Sequence, residues 1–229
     1  MVHFHWAQLL NFIKYNQLHI ASSVLILFFS FFFYFFGKRA LGTGRDAIVP
    51  SDKISLKAFF EGVLHFIASL VEIVMGKGHR QHVPVFAALF FYIFISNMFG
   101  LFPGFLPSTD NLNTTVAIGF FSFFIYNHCG FKEHGVGYLK QLLGPVLWMA
   151  PLMLVVELVS HFVRPFSLGL RLQGNMLGDH TVLSIFLNLV PYGVPVIFYA
   201  LGAFVCFMQA FVFTMLSMIY VSMAISHDH

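Results

Sequence analysis

Residues 145–187 read PVLWMAPLMLVVELVSHFVRPFSLGLRLQGNMLGDHTVLSIFL, and how this stretch folds decides the architecture of the chain. Apart from Glu157, Arg164, Arg171 and Asp179 it holds no Lys, Arg, Asp or Glu. As one helix it would be roughly 64 Å long, against a membrane hydrocarbon core of about 30 Å. A second apolar run, 195–225, would be about 46 Å long. Modest tilt does not absorb that excess. Two solutions exist. The first run can be two spans broken near Pro165, with Arg164 and Arg171 in a water-facing loop, or both runs can be long, strongly inclined helices. Residues 164–172, RPFSLGLRL, place Phe166, Leu168 and Leu170 between the charges and contain no polar turn-forming cluster. That favours the inclined helices.

The membrane itself follows from composition. Of 229 residues, 59% are hydrophobic, 18% aromatic and only 9% charged, with a mean hydropathy of +0.83. A soluble domain carries about 25% charged residues, so 12 Lys+Arg and 9 Asp+Glu cannot clothe a water-facing globule. Disorder and an ordinary soluble enzyme are excluded. So is a porin-like barrel, whose strands would alternate apolar and polar residues. Cys129 and Cys206 stand alone in apolar runs, without CxxC or metal spacing, and read as core cysteines.

The expected organisation is a single all-α membrane domain over 1–229. It comprises an anchor span at 19–36, an amphipathic surface helix at 53–76, a hairpin of two spans at 83–131, and a hairpin of two long inclined helices at 145–188 and 192–226. The anchor's uncharged run stops at Lys38 and Arg39, with no cleavage site of signal-peptide type. In 54–74, Lys57, Glu61, His65, Ser69 and Glu72 recur at steps of four and three. That spacing suits a helix lying on the membrane face or packed against a partner. The bases Lys38, Arg39, Arg45, Lys53, Lys57, Lys77, Arg80, Lys132 and Lys140 fall in the connections after the anchor and after the hairpin. The positive-inside rule puts those connections in the cytoplasm or matrix, the N-terminus outside and the C-terminus inside.

Glu157, Arg164 and Arg171 are spaced by seven, so on a helix they drift only about 20° per step and line one face. Asn175 follows Arg171 by four residues. An arginine within the membrane is expensive and normally paired, lining an ion pathway or a protein interface. Glu157 lies about 21 Å along the helix from Arg171, and Asp179 about 12 Å away and turned by roughly 80°. The segment 181–227 contains no acid, and before residue 131 the spans offer only Asp110 in the turn PSTDNLNTT. The residues therefore point to a hydrated interface with a second membrane protein that supplies a carboxylate.

The run PFSLGLRLQGNMLGDH (165–180), with its ELVSHFVRP lead-in and the downstream MQAFVFTMLSMIYVSMA (208–224), resembles subunit a of F-type ATP synthases over nearly the whole chain. The resemblance implies the inclined-helix fold, and it implies a ring of c subunits as the partner whose central carboxylates answer Arg171. It further implies peripheral-stalk b subunits and the rest of the synthase as partners. The protein would be a non-catalytic proton-channel stator without cofactor, metal or nucleic acid, in an energy-transducing membrane such as the bacterial inner membrane.

Residue by residue, Arg171 matches the family's essential arginine, and Asn175 and Gln209 match polar positions near it. Those amides either orient water or simply bridge two helices. His180 matches a titratable position of the outer half-channel. A position on the last helix that often carries a complementary His or acid is Gly202 here, a departure for which Asp179 could compensate. Glu157 matches an acid of the inner half-channel, with Ser160 and His161 beside it, His161 either in the channel or in packing. Asp110 and Asn113 border the outer vestibule or cap a turn. Gly174 and Gly178, a GxxxG pair, suggest close helix packing. The histidine pairs His3/His5, His79/His82 and His227/His229 read as terminal and loop residues.

Other readings weaken on inspection. A b-type cytochrome needs axial histidines on facing apolar helices, and His79, paired with His65, lies in the basic KGHRQH segment. An intramembrane protease lacks its motifs. A self-sufficient secondary transporter or channel is the stronger rival, because it also uses buried Arg and Glu, but no internal repeat is visible.

Overall fold

The computed structural model describes residues 18–41, 56–102, 107–138, 150–189 and 193–225. The Pro145 start of the long run, the Pro191 turn, Lys14, Arg45, Lys53, Lys140 and the terminal histidine pairs lie outside the described residues. Among the described residues every regular element is helical. The longer helices are α1 (Leu18–Leu41), α2 (Leu56–Met75), α3 (Val83–Gly100), α4 (Leu112–His134), α5 (Ala150–Leu189) and α6 (Val194–Ile225). They form two compact units, 1–108 and 109–229.

The first unit holds α1 to α3. α1 carries Lys38 and Arg39 in its last turn, where cations complement the helix dipole. Its phenylalanines stack onto the other two helices. Phe29 meets Phe99 at a centroid distance of 5.1 Å, and Phe33 meets both Phe60 at 5.0 Å and Phe91 at 5.6 Å. Gly37 lets the Phe60 ring approach. α2 ends at Gly76, whose φ of 85° is open to glycine and strained for other residues. A 3-10 turn over Lys77–His82 leads to Pro84 in the first turn of α3, and Arg80 closes back onto Glu72.

The second unit is an α4–α5–α6 sheaf whose contacts keep a constant register. On α4, Thr115, Ile118, Gly119, Ser122, Tyr126, Cys129 and Gly130 are buried, a stripe at helical spacing. A Cβ added at Gly119 would lie 2.3 Å from the Pro165 carbonyl oxygen, and one at Gly169 3.0 Å from that of Thr115. The two helices are therefore antiparallel and touch backbone to backbone. Gly174 and Gly178 take no such part: among the described residues nothing lies within 4 Å of a Cβ at either. The expected close packing falls instead to Gly119 and Gly169, because the buried face of α5 runs through 165, 168, 169 and 172. α6 runs antiparallel to α5: Phe186 stacks on Phe198, and Asn175, earlier on α5, meets Gln209, later on α6. It runs parallel to α4, joined by Ser122 Oγ donating to Ser217 Oγ at 2.8 Å.

α5 continues without a break through Pro165. Its 40 residues make about 60 Å of helix, which fits about 30 Å of hydrocarbon only when strongly inclined. The two-span solution does not occur. Five helices, α1, α2, α3, α5 and α6, are long and apolar enough to cross a membrane. The chain is thus an all-α, polytopic membrane protein. α4 is more polar, and it buries Thr115, Ser122 and Tyr126 against its neighbours rather than showing them to lipid.

Candidate functional site

α5 turns Leu168, Leu172 and Met176 inward. Arg171 therefore faces outward, exposed in a field of apolar side chains that includes Phe166, Leu170 and Leu177. Among the described residues no carboxylate forms an ion pair with it. One turn on, Asn175 Nδ2 donates to Gln209 Oε1. The two amides predicted near Arg171 thus meet as a bridge between α5 and α6. Gln209 is buried and its Nε2 has no hydrogen-bond partner, so it retains donor capacity beside the arginine's turn.

Arg164, one heptad before Arg171, is treated differently. Its Nη2 lies 3.2 Å from Glu157 Oε1, and its guanidinium stands 5.5 Å from the centroid of the Tyr220 ring. Glu157 and Arg164 therefore neutralise each other. Sequence reasoning saw their heptad spacing and missed their pairing, which two long side chains achieve by reaching toward each other along the helix. Ser160 is half-buried one turn from Glu157. His161 is buried and lies between α5 and α4, 3.1 Å from Tyr126 Oη through Nδ1 and 3.0 Å from Asn127 Oδ1 through Nε2. The Phe123 ring packs edge-on against the imidazole at 4.9 Å. Tyr126 and Asn127 were not anticipated. Their signal was the step of four and three that joins Thr115, Gly119, Ser122 and Tyr126 on one stripe of an otherwise apolar helix.

At the opposite end of the sheaf, Asn111 caps α4, its Oδ1 accepting from Asn113 N at 2.9 Å. Capping thus belongs to Asn111 rather than to Asp110 or Asn113. Asp110 keeps one buried carboxylate oxygen, Oδ1, without a hydrogen-bond partner among the described residues, and Gln173 Nε2 donates to its main-chain carbonyl at 3.4 Å. His180 is half-buried, and its Nε2 is also buried without a partner. Both Asp110 and Asp179 act electrostatically on this imidazole. Asp179 also acts on Cys206, one turn beyond Gly202 on α6. Asn113 is exposed.

The sheaf thus presents a polar group at each end and, between them, a cation with no carboxylate partner among the described residues, on a helix too long to stand upright in a bilayer. A family profile described as ATP synthase A chain matches residues 18–222. The chain is 48% identical over 227 residues to ATP synthase subunit a of Bdellovibrio bacteriovorus, covering 99% of each chain. It is 40% identical over 217 residues to ATP synthase subunit a 3 of Pelobacter propionicus, covering 95% of this chain and 88% of the relative. With ATP synthase subunit a of Geotalea daltonii it shares 43% identity over 174 residues, 76% of each.

Proposed function

Because the chain belongs to the ATP synthase A chain family, we propose that the exposed Arg171 face of α5 is the surface on which proton flow is handed to a rotor. The protein is a non-catalytic, proton-translocating stator subunit that couples proton movement to rotation of a c-ring. In this reading protons reach the rotor carboxylates through an outer half-channel bordered by Asp110, Asn113, Asp179 and His180. They leave through an inner one bordered by Glu157, Ser160 and His161. Arg171, Asn175 and Gln209 stand between the two.

The chemistry follows from charge. A guanidinium is a permanent cation, and it stabilises the ionised form of a carboxylate passing it. A rotor acid arriving protonated therefore releases its proton before or at Arg171, on the inner side. The same charge repels protons, which keeps the half-channels from short-circuiting. In this reading the inner side is the cytoplasm of a bacterial inner membrane and the N-terminus is outside, an orientation supported by the bases in the connections. Peripheral-stalk b subunits hold the stator against rotation.

One observation carries the reading: Arg171 is exposed on an apolar face, and no described acid of its own chain pairs with it. A Leu170→Cys variant in the assembled synthase should form a disulfide with a cysteine placed one turn from the c-subunit carboxylate. A cysteine replacing Ile118, buried on α4, should not. Equal crosslinking at both positions, or none at residue 170, would overturn the assignment of this face.

A further inference from the structure

Glu157 and Arg164 lie seven residues apart on α5, so their Cα atoms stand about 10 Å apart along the helix axis. Helical ion pairs ordinarily join residues three or four apart. Here both side chains extend toward each other, and Arg164 Nη2 meets Glu157 Oε1 at 3.2 Å. From α6 the Tyr220 ring presents its centroid 5.5 Å from the guanidinium carbon. An aromatic face at that range holds a cation in place. The pair is only partly withdrawn, the Arg164 side chain 22% exposed and that of Glu157 42%. Arg164 also acts electrostatically on Tyr126, Tyr138 and His161, so its charge reaches the polar groups at this end of the sheaf.

Arg164 stands one heptad before Arg171 on the same side of α5, about 10 Å further inward by helical rise. A second bare cation there would oppose every proton leaving the rotor for the inner side. A unit charge within about 10 Å, at an effective dielectric of about 20, slows such a proton about tenfold. Glu157 removes that opposition, because the closed pair carries no net charge. The net charge of the row Glu157, Arg164, Arg171 then resides at Arg171, where a barrier to protons is needed. If Glu157 itself took up the departing proton, Arg164 would be bared at every passage. Ser160, half-buried one turn from Glu157, is polar without charge and leaves the pair intact.

We propose that Glu157 serves the inner half-channel by masking Arg164, which Tyr220 holds in place, and not by taking up the proton. The proposal rests on the reading that this end of α5 borders that half-channel. The functional unit is the pair: the charges at 157 and 164 must cancel, and two uncharged residues serve there better than one charged residue left alone.

The test measures proton-driven ATP synthesis per assembled complex in membranes. Glu157→Gln bares Arg164 and should lower the rate about tenfold. Adding Arg164→Gln removes the bare cation, and this double variant should recover several-fold. Adding Arg164→Lys instead keeps the cation and should recover nothing, a distinction that lost packing alone would not make. A Gln double variant as slow as Glu157→Gln means that the acid itself carries the proton. Glu157→Gln at the wild-type rate means that a bare Arg164 does no harm. Either result overturns the proposal, as does equal recovery with Lys and Gln at 164. Should Glu157→Gln fail to assemble, the Gln double variant decides alone. Synthesis above about a tenth of the wild-type rate upholds the proposal, and a lower rate or no complex overturns it. Arg171→Gln, measured alongside, tests the reading beneath. Wild-type synthesis in that variant overturns the reading and this proposal together, whereas its loss leaves every failure above to count against the proposal alone.

Discussion

Arg171 and Arg164 sit one heptad apart on the same helix, yet their surroundings set them to opposite uses. Arg164 closes onto Glu157 and the face of Tyr220, so its charge is consumed within the chain. Arg171 faces outward with no described carboxylate, so its charge is available to whatever passes. The Asn175–Gln209 bridge braces the turn that follows it. At the other end, Asp179 is half-buried beside His180 on α5. If it supplies the missing acid of the outer half-channel, Asp179→Asn lowers proton-driven ATP synthesis at least several-fold while the complex still assembles. Passive conduction measured from the outer side checks this, and an unchanged rate would remove Asp179 from the path. The unusual standing of Arg171 was legible as sequence because an arginine in an apolar helix demands an explanation. The Glu157–Arg164 pair and the Tyr126–His161 contact were not, because each depends on which rotamers meet once the helices are packed.

At the scale of the elements, the decisive contact is the crossing of α4 and α5. Gly119 and Gly169 bring backbones together there, and the next turn of α5 after Gly169 carries Arg171. A Gly119→Val substitution puts a branched side chain where the Pro165 carbonyl oxygen already stands 2.3 Å from a single Cβ. Overpacking of this kind costs about 1–3 kcal/mol, and relief requires α5 to move and to carry Arg171 with it. The expected result is a lower dissociation temperature for the complex, together with reduced coupling. Gly62→Ala, at a helical site with nothing within 4 Å, serves as the control and should leave both unchanged. Helix periods and the long apolar runs were readable from residue spacing. The choice of the Gly119 and Gly169 contact over Gly174 and Gly178 was not, because GxxxG spacing says two small residues share a face without saying which face is covered.

For the whole molecule, 9% charge was enough to identify the solvent. The placement of the bases then set an orientation that is open to direct test. With the N-terminus outside, α4 runs from the outer to the inner side. Asn113→Cys, exposed near its start, should react with a membrane-impermeant maleimide only from outside, and Glu133→Cys, exposed near its end, only from inside. The reverse pattern would invert the assignment of both half-channels. By itself the sequence determined the membrane, the helices and the cation for which the described residues offer no carboxylate. Each of these depends on local counts, spacing or the cost of burying charge in lipid. Only the tertiary structure decided that Pro165 interrupts nothing, that Glu157 answers Arg164, and that Tyr126 on α4 meets His161 on α5. Those outcomes turn on contacts of 3 Å or so, one within α5 and one between α4 and α5. Such distances follow from the register in which α4, α5 and α6 pack, and no residue spacing along one strand of text encodes that register.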